Sequence, residues 1–446
     1  MSKARIIVAT LLALALAAPA MAFDVQIKGD FNNRFGYTEN SKVTRLNSLS
    51  NEAARYANVA ELDNPGITNE EDSDASEFFA EAKYRLHFIG TDDEKKVKGV
   101  IGLELGASKY GNTDGSGKGF QFGGDGRDTL ELQYAYTDFE LPFYKEARLS
   151  LGLQPVGLNK WVWSDNAAGV KLNAKYGDLG YQLSWFRNDY NFTAVSGTNK
   201  EEARDVYALD VKYTPKDMPK FNLFAIYSWE DDVDLVGFGN ADKDTEIWLG
   251  AAVDGQAGPL FYGATAVYLT GEIETALGDA DRDAYFLNAE VTYKAGKSRI
   301  KGGWMYASGD DDATDDDVEN YDVIDVYVPI GSVVIFDSYA DDNTAATSPY
   351  VLDKGYNLLY LAIDHDLSDK TTVGASYFWH NTAEDIIADK DLGHEIAVRA
   401  AHKITKNLTA GIQAGYLIGG DAWDELGLNG DSDDIFVTDA SIRLQF

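Results

Sequence analysis

The sequence predicts an all-β fold, a transmembrane antiparallel β-barrel of about 18 strands, with about 16 as the alternative count. The last strand is the clearest observation. Residues 435–446 alternate between an apolar face, which includes Leu444 and Phe446, and a polar face, which includes Asp439 and Arg443. A period of two is the repeat of a β-strand. A strand that is apolar on one side and charged on the other, and that carries the chain end, fits the closing strand of a barrel surrounded by lipid.

The first 22 residues have the features of a secretory signal peptide. A basic start precedes an apolar run over residues 6–16, and residues 20–22 are Ala-Met-Ala, a small-x-small cleavage site. The run is shorter than the roughly 20 apolar residues of a spanning helix, and no later segment is long enough. We therefore predict a signal peptide over residues 1–22 and one barrel domain over residues 23–446, which crosses the membrane with strands.

Composition narrows the function classes. The chain has no Cys, which excludes a disulfide scaffold, thiolate metal sites and covalently attached c-type haem. Aromatic residues make up 12% of the chain, as expected where rings form belts at both membrane interfaces. The net charge of -34 argues against nucleic acid as a partner.

Alternating segments recur along the chain, and we predict a strand for each. They cover residues 24–37, 77–90, 97–109, 128–140, 147–154, 168–176, 180–188, 204–214, 220–230, 244–254, 258–270, 283–294, 298–308, 356–366, 371–381, 393–403, 407–418 and 435–446. The segments number eighteen, an even count, as expected of a bacterial barrel.

The predicted connections are of two kinds. Short links rich in turn-forming residues cover 91–95, 177–178, 215–219, 255–257, 295–297, 368–370 and 405–407. Longer acidic and Gly-rich loops cover 38–76, 110–127, 231–243, 309–355, 382–392 and 419–434. This asymmetry is typical of short periplasmic turns and longer extracellular loops.

The polarity of the two sets of alternating residues shows which face of each strand meets lipid and which lines the lumen. In a spanning barrel the apolar face meets lipid and the polar face lines the lumen. Segments 169–176 and 284–294 show this clearly, with Tyr285 and Tyr293 at the two ends of one apolar face. Three other segments are apolar on both faces, so the sequence does not show which face meets lipid. The alternative is that one of these faces packs against a neighbouring subunit. The three segments are residues 220–230, 258–270 and 356–366.

A family resemblance rests on three consecutive stretches. Residues 132–144 contain an Ala-Tyr-x-Asp strand, residues 147–157 form an Arg-containing strand that ends in Gln-Pro, and residues 165–171 follow with Asp and Gly. This order resembles outer-membrane porins, and most closely the homotrimeric porins of sulfate- and metal-reducing bacteria. The resemblance implies a homotrimer in a Gram-negative outer membrane, in contact with the lipid bilayer and lipopolysaccharide. It also implies passive diffusion of small hydrophilic solutes and ions through the barrel, without a cofactor.

One departure from that family concerns the loop after the fifth strand. In general porins this loop enters the barrel as an acidic constriction opposite a basic wall. Here residues 155–168 are few and include one acid, Asp165, beside Lys160, Trp161 and Trp163. The sequence therefore does not predict a narrow constriction of the usual kind. The two tryptophans favour an interfacial belt or loop packing over stacking on sugars.

The polar face of the first six strands and of the last strand is unusually basic. If the register holds, the pore-lining candidates are Lys28, Arg34, Lys83, Arg85, Lys98, Glu104, Glu131, Arg148, Lys171, Lys175 and Arg443. We interpret this wall as a transverse field that steers anionic or zwitterionic solutes. The alternative is that these charges pair with acids such as Asp30 and Glu81 and only stiffen the barrel.

Metal binding and catalysis have little support. The acidic run 309–320 could hold Ca²⁺, but it lacks EF-hand spacing and reads better as a solvated loop. Residues 279–290 reproduce the acid spacing of an EF-hand, yet Ala284 replaces the turn glycine and the segment alternates as a strand. No nucleophile motif accompanies the five scattered histidines, so we predict that the chain is not an enzyme.

Two other functions remain as hypotheses. A substrate-selective outer-membrane channel with a saturable solute site would show current block by its solute. A structural sheath for electron-conduit cytochromes would co-purify with a haem protein.

Overall fold

The structure is a computed structural model that describes most of the chain. The described residues are 23–39, 76–110, 119–120, 130–188, 204–235, 239–275, 278–311, 317–326, 330–335, 354–386, 388–422 and 434–446. The predicted signal peptide lies outside these residues. Among them, no helix has the length and apolarity required to cross a membrane.

The described residues contain 20 strands. They are β1 (Phe23–Glu39), β2 (Glu77–Asp92), β3 (Val97–Tyr110), β4 (Gly119–Phe120), β5 (Leu130–Leu141), β6 (Tyr144–Pro155), β7 (Asn166–Tyr176), β8 (Leu179–Asn188), β9 (Arg204–Tyr213), β10 (Lys220–Leu235), β11 (Gly239–Ala257), β12 (Leu260–Thr275), β13 (Gly278–Ala295), β14 (Ser298–Ala307), β15 (Asp317–Val318), β16 (Tyr356–Asp366), β17 (Thr371–Asn381), β18 (Asp391–Lys403), β19 (Leu408–Ile418) and β20 (Ile435–Gln445).

Eighteen of these strands form one closed antiparallel barrel. Each pairs with the next along the chain, and β1 closes the ring by pairing with both β2 and β20. The remaining two, β4 and β15, have two residues each and run parallel to the ends of β3 and β13. The predicted fold class and the count of 18 are therefore confirmed, and the alternative count of 16 is wrong.

The connections fall at two different ends of the barrel. The end that carries Phe23 and Phe446, here called the turn end, has short turns between successive strands. The opposite loop end carries the long connections.

Two predicted connections are wrong. Residues 231–235 and 239–243 continue β10 and β11 instead of forming a loop, and the turn predicted at 255–257 lies at 258–259. Residues 231–243 are acidic and Gly-rich, so they resemble a loop in sequence although the backbone of both strands stays paired.

The two faces of the strands differ as the alternation predicts. On β13, Arg282, Ala284 and Phe286 are buried inside the barrel, whereas Tyr285 and Tyr293 are exposed on the outside. On β7, Val170 and Tyr176 are exposed outward, and the intervening lysines point inward. The outer surface is therefore apolar with tyrosines near the strand ends, as a lipid-facing barrel requires.

The inside of the barrel contains an apolar core, which we call the inner core. It is built by inward side chains of β8–β14 and β16–β20 and by residues of three segments that enter from the loop end, 156–165, 317–326 and 330–335. Phe224, Leu269 and Leu358 belong to it, and these lie on the three strands that are apolar on both faces. Their second apolar face is thus explained within one barrel, without the neighbouring subunit considered above.

Candidate functional site

The inner face of β1–β3, β5–β7 and β20 carries the predicted charged residues, and we call it the charged wall. Directly paired residues of adjacent strands share a face. The register joins Lys28 to His87, Asp30 to both Arg85 and Gln445, and Glu104 to both Arg85 and Glu131. The register therefore places the eleven candidates on one face. That face is the interior, because Arg34, Lys83 and Glu104 are buried.

The arginines of the charged wall are paired with acids. Arg148 donates to Asp138 at 2.8 Å, Arg443 donates to Asp30 at 2.7 Å, and Arg34 lies 3.5 Å from Asp439. These pairs link neighbouring strands, since each acid lies on the strand next to its arginine. Their charges largely cancel, so they stiffen the wall more than they polarise it.

Glu104 is the most connected acid of this wall. Its carboxylate accepts hydrogen bonds from Arg85 and, at 2.9 Å, from Gln133, and it lies 3.1 Å from Lys83 Nζ. Lys83 and Arg85 thus converge on one carboxylate. Glu131 lies directly opposite Glu104 on β5.

Four lysines of the charged wall have no ion pair with any residue that the structure describes: Lys28, Lys98, Lys171 and Lys175. Lys98 lies 5.4 Å from the centre of the Tyr136 ring, and Lys171 donates to the carbonyl oxygen of Pro155. Neither partner carries a formal charge. On this wall these lysines, rather than the arginines, therefore carry positive charge that no ion pair with a described residue offsets.

The segment 156–165 enters the barrel, contrary to what its sequence suggested. Trp161 and Trp163 are only 2% and 1% exposed, so both are loop-packing residues and neither offers a platform to a solute. The Trp161 ring lies 4.8 Å from that of Phe286 on β13, and the Trp163 ring 5.4 Å from that of Phe186 on β8. Because β13 lies far around the ring from β6 and β7, the segment reaches across the lumen.

A second segment from the loop end packs on the first. Residues 317–326 are joined to 156–165 through backbone hydrogen bonds from Ile324 N to Val162 O at 2.9 Å and from Ser164 N to Asp325 O at 2.8 Å. The Tyr321 hydroxyl donates to Trp161 O at 3.0 Å. The two segments therefore form one layer that packs on Phe186 of β8, Trp248 of β11 and Phe286 of β13. The inner face of β8–β14 and β16–β19, which carries most of the inner core, is here called the covered wall.

Two carboxyl groups meet on this layer. Asp165 is exposed within the lumen, and its side chain is hydrogen-bonded to that of Asp325. Burial, followed by the charge and the hydrogen bond of Asp165, raises the pKa of Asp325 to about 7. Asp165 also interacts electrostatically with Tyr134, which lies near Arg85 on the charged wall. The layer thus presents a carboxyl group toward a basic wall, an arrangement that the few, acid-poor residues of 155–168 do not predict.

Sequence reasoning missed the second segment entirely. The acids of residues 309–355 predict a solvated loop, although residues 321–335 contain several Val and Ile residues. Apolar residues in a solvated loop are the signal that could have located it, because such residues need a surface to pack against.

The calcium alternatives receive no structural support. On β13, Asp279, Asp281 and Asp283 share one face, whereas Glu290 lies on the opposite face, so these acids cannot bind the same ion. Part of the acidic run 309–320 lies outside the described residues. Among the residues that are described, no group of three or more candidate ligands could hold a metal ion.

Comparison with known proteins gives a structural likeness only. No family model matches the chain, and no curated protein matches it. Among solved structures, OccK8 (OprE) of Pseudomonas aeruginosa is 10% identical with a TM-score of 0.57, over 95% of this chain and 98% of that chain. A BenF-like porin from Pseudomonas fluorescens Pf-5 is 12% identical with a TM-score of 0.56, over 95% and 98%. OpdK of Pseudomonas aeruginosa with vanillate is 10% identical with a TM-score of 0.53, over 94% and 98%. The chain therefore has the fold of these barrels.

Proposed function

We propose that the protein is an outer-membrane porin, a water-filled channel for passive diffusion of small hydrophilic solutes and ions. The charged wall carries this proposal. Lys98, Arg148 and Arg443 face the inside of a closed barrel whose outer surface is apolar. Ionised side chains at membrane depth are stable where water reaches them or where they pair. Lys28 and Lys175 of this wall are exposed and have no acidic partner among the described residues, so water reaches the wall.

The cross-section of this channel is set by the layer of in-folded segments. Residues 156–165 and 317–326 pack on the covered wall, so we infer that solutes pass between the layer and the charged wall. Asp165 faces this passage from one side, and Arg85 and Lys98 face it from the other. Such a transverse field orients dipolar solutes and favours anions near the lysines.

A substrate-selective channel is the second candidate, and the layer itself favours it. A narrowed passage with fixed charges on two sides can bind a solute that carries matching groups. One structural neighbour was solved with vanillate, an aromatic carboxylate, which is consistent with such a site in a barrel of this fold. For this chain, a small carboxylate is the corresponding solute class to test.

The remaining parts of the proposal concern location and assembly. The apolar outer face with its tyrosines supports insertion in a bilayer, and the predicted signal peptide supports export to an outer membrane. Contact with lipopolysaccharide and assembly as a homotrimer follow from the resemblance to porins of sulfate- and metal-reducing bacteria. Cross-linking of the purified protein in detergent tests the trimer.

Planar-bilayer recording tests the function. The purified protein should give stepwise conductance in KCl, and a salt gradient should give a reversal potential on the anion side. Concentration-dependent block by a small carboxylate such as benzoate would favour the selective channel, whereas unchanged current would favour the general porin. Absence of any conductance from correctly folded protein would contradict both.

A further inference from the structure

Residues 330–335 form the third in-folded segment, and they lie inside the barrel against β18 and β19. Val333, Val334 and Ile335 are all at most 2% exposed and belong to the inner core. The segment connects two strands, β14 and β16, through a long excursion from the loop end. Its position therefore depends on its contacts with the wall.

One side chain of the wall binds this segment through several hydrogen bonds. Glu395 on β18 is 0% exposed and points inward. Its Oε1 accepts from Val333 N at 2.7 Å and from Val334 N at 3.3 Å, and its Oε2 accepts from the Ser332 hydroxyl at 2.6 Å. An ionised carboxylate that accepts backbone N–H groups makes strong, charge-assisted bonds.

The Glu395 carboxylate also has neighbours on the wall, His380 and Tyr356. His380 Nε2 lies 3.5 Å from Glu395 Oε2, and His380 Nδ1 is 2.6 Å from the Tyr356 hydroxyl. Both rings are fully buried. This row of groups fixes the orientation of Glu395, and it also means that loss of the carboxylate leaves several buried polar groups without their partner.

The backbone of β19 shows how closely the segment approaches the wall. A β-carbon added at Gly415 would lie 2.9 Å from Val333 Cβ and 3.0 Å from Val334 Cγ2. Only glycine leaves room for this packing, since a larger side chain would have to displace the valines. Gly415 thus offers a second way to displace the segment, one that leaves Glu395 unchanged.

The polar contacts of Glu395 with the segment are concentrated on a short stretch of backbone that has no regular secondary structure of its own. By contrast, residues 156–165 are short, joined directly to β6 and β7, and bonded along their backbone to 317–326. The geometry points to Glu395 as the positioning residue that keeps 330–335 inside the lumen. In that position the segment, together with the layer, limits the size of the solutes that pass. This inference rests on the proposed channel function.

The test compares single-channel conductance and the largest neutral polyethylene glycol that reduces it. The variants are Glu395→Ala, Glu395→Gln and Gly415→Val, with Asp366→Asn as the control. Asp366 is also an inward carboxylate, but it lies at the turn end, and among the described residues it is bonded to Arg299 and Thr372 rather than to the segment. Its loss changes lumen charge without releasing the segment.

We expect Glu395→Ala and Gly415→Val to raise the conductance and shift the polymer size limit upward, with a smaller shift for Glu395→Gln, which keeps one acceptor oxygen. Asp366→Asn should leave the size limit unchanged. Heat modifiability on a gel shows in each case whether the barrel has folded. If Glu395→Ala does not assemble, the result for Gly415→Val decides the test. An unchanged size limit in both folded variants would overturn the inference. A wild-type protein that does not conduct would instead overturn the proposed function.

Discussion

The two inner walls of this barrel are built by different rules. The charged wall keeps polar side chains on every second position and pairs its arginines with acids on neighbouring strands. The covered wall carries Phe186, Trp248 and Phe286 at equivalent positions, and chain segments from the loop end pack over them. The comparison shows that a barrel lumen is not uniform. Where the inward residues are apolar the protein fills the space itself, and where they are charged it leaves the space to water.

Both walls depend on closure of the barrel at one seam, so the largest effect is expected there. Phe446 N donates to Gly29 O at 3.0 Å, Gly29 N donates to Phe446 O at 2.9 Å, and the Phe446 ring lies 5.6 Å from that of Phe31. Deleting residues 444–446 should abolish folded protein in the membrane, because open edges leave backbone groups unsatisfied in lipid. Heat modifiability measures this. A normal yield of folded barrel would refute the importance of the seam.

A cavity made in the packing of the covered wall should lower the stability of the barrel. Trp161 is almost fully buried between the layer and Phe286. Trp161→Ala should lower the free energy of unfolding by about 3–5 kcal/mol, the usual cost of removing a buried tryptophan. Urea titration in detergent measures it. Trp379→Ala is the control, because Trp379 is 42% exposed on the outer surface. Equal losses in the two variants would show that the inner core does not stabilise the barrel.

The outer face and the charged wall should differ in their tolerance of a new charge. Leu172 and Asn173 are neighbours on β7 that point outward and inward. Leu172→Arg should cost roughly 2–4 kcal/mol if it lies near the bilayer midplane, whereas Asn173→Arg places the cation in water. Folding yield into lipid vesicles compares the two. The reverse order would mean that the two faces of β7 have been exchanged.

The smallest effect on ion preference is expected from a change of pH, which changes the charge of Asp325 in the layer. Asp325 has a pKa of about 7, so it is neutral below that pH and anionic above it. Raising the pH from about 6 to about 8 therefore adds negative charge opposite the charged wall, and the reversal potential should move toward cations. Asp325→Asn should therefore reduce this shift. An identical shift in the variant would place the titrating groups elsewhere.

Strands were predictable from the sequence because alternation is a local property. The terminal strand and the faces of β7 and β13 followed from a period of two, since lipid outside and water inside impose opposite polarity on successive residues. The sequence also showed that three segments are apolar on both faces, although it did not show that their inward faces pack in the inner core. The extension of β10 and β11 was not predicted because residues 231–243 are acidic and Gly-rich, a composition that indicates a loop.

The candidate site was predictable only in part. The inward direction of Lys98 or Arg148 follows from register, but pairing with Asp138 depends on which strands become neighbours. The entry of residues 156–165 depends on contacts between Trp161 and Phe286, which lie 125 positions apart in the sequence. Such packing arises from shape complementarity of distant segments and leaves no periodic signal.

The most direct test of the charged wall is the reversal potential in a KCl gradient, measured for wild type and for a variant with four substitutions. These are Lys28→Gln, Lys98→Gln, Lys171→Gln and Lys175→Gln. The matched control removes an ion pair without changing the net charge, as the double variant Arg148→Gln and Asp138→Asn. We predict anion preference in wild type, a clear move toward cations in the lysine variant, and little change in the control, because confined charges are poorly screened. An unchanged reversal potential in the lysine variant would contradict the assignment of the charged wall to the conducting path.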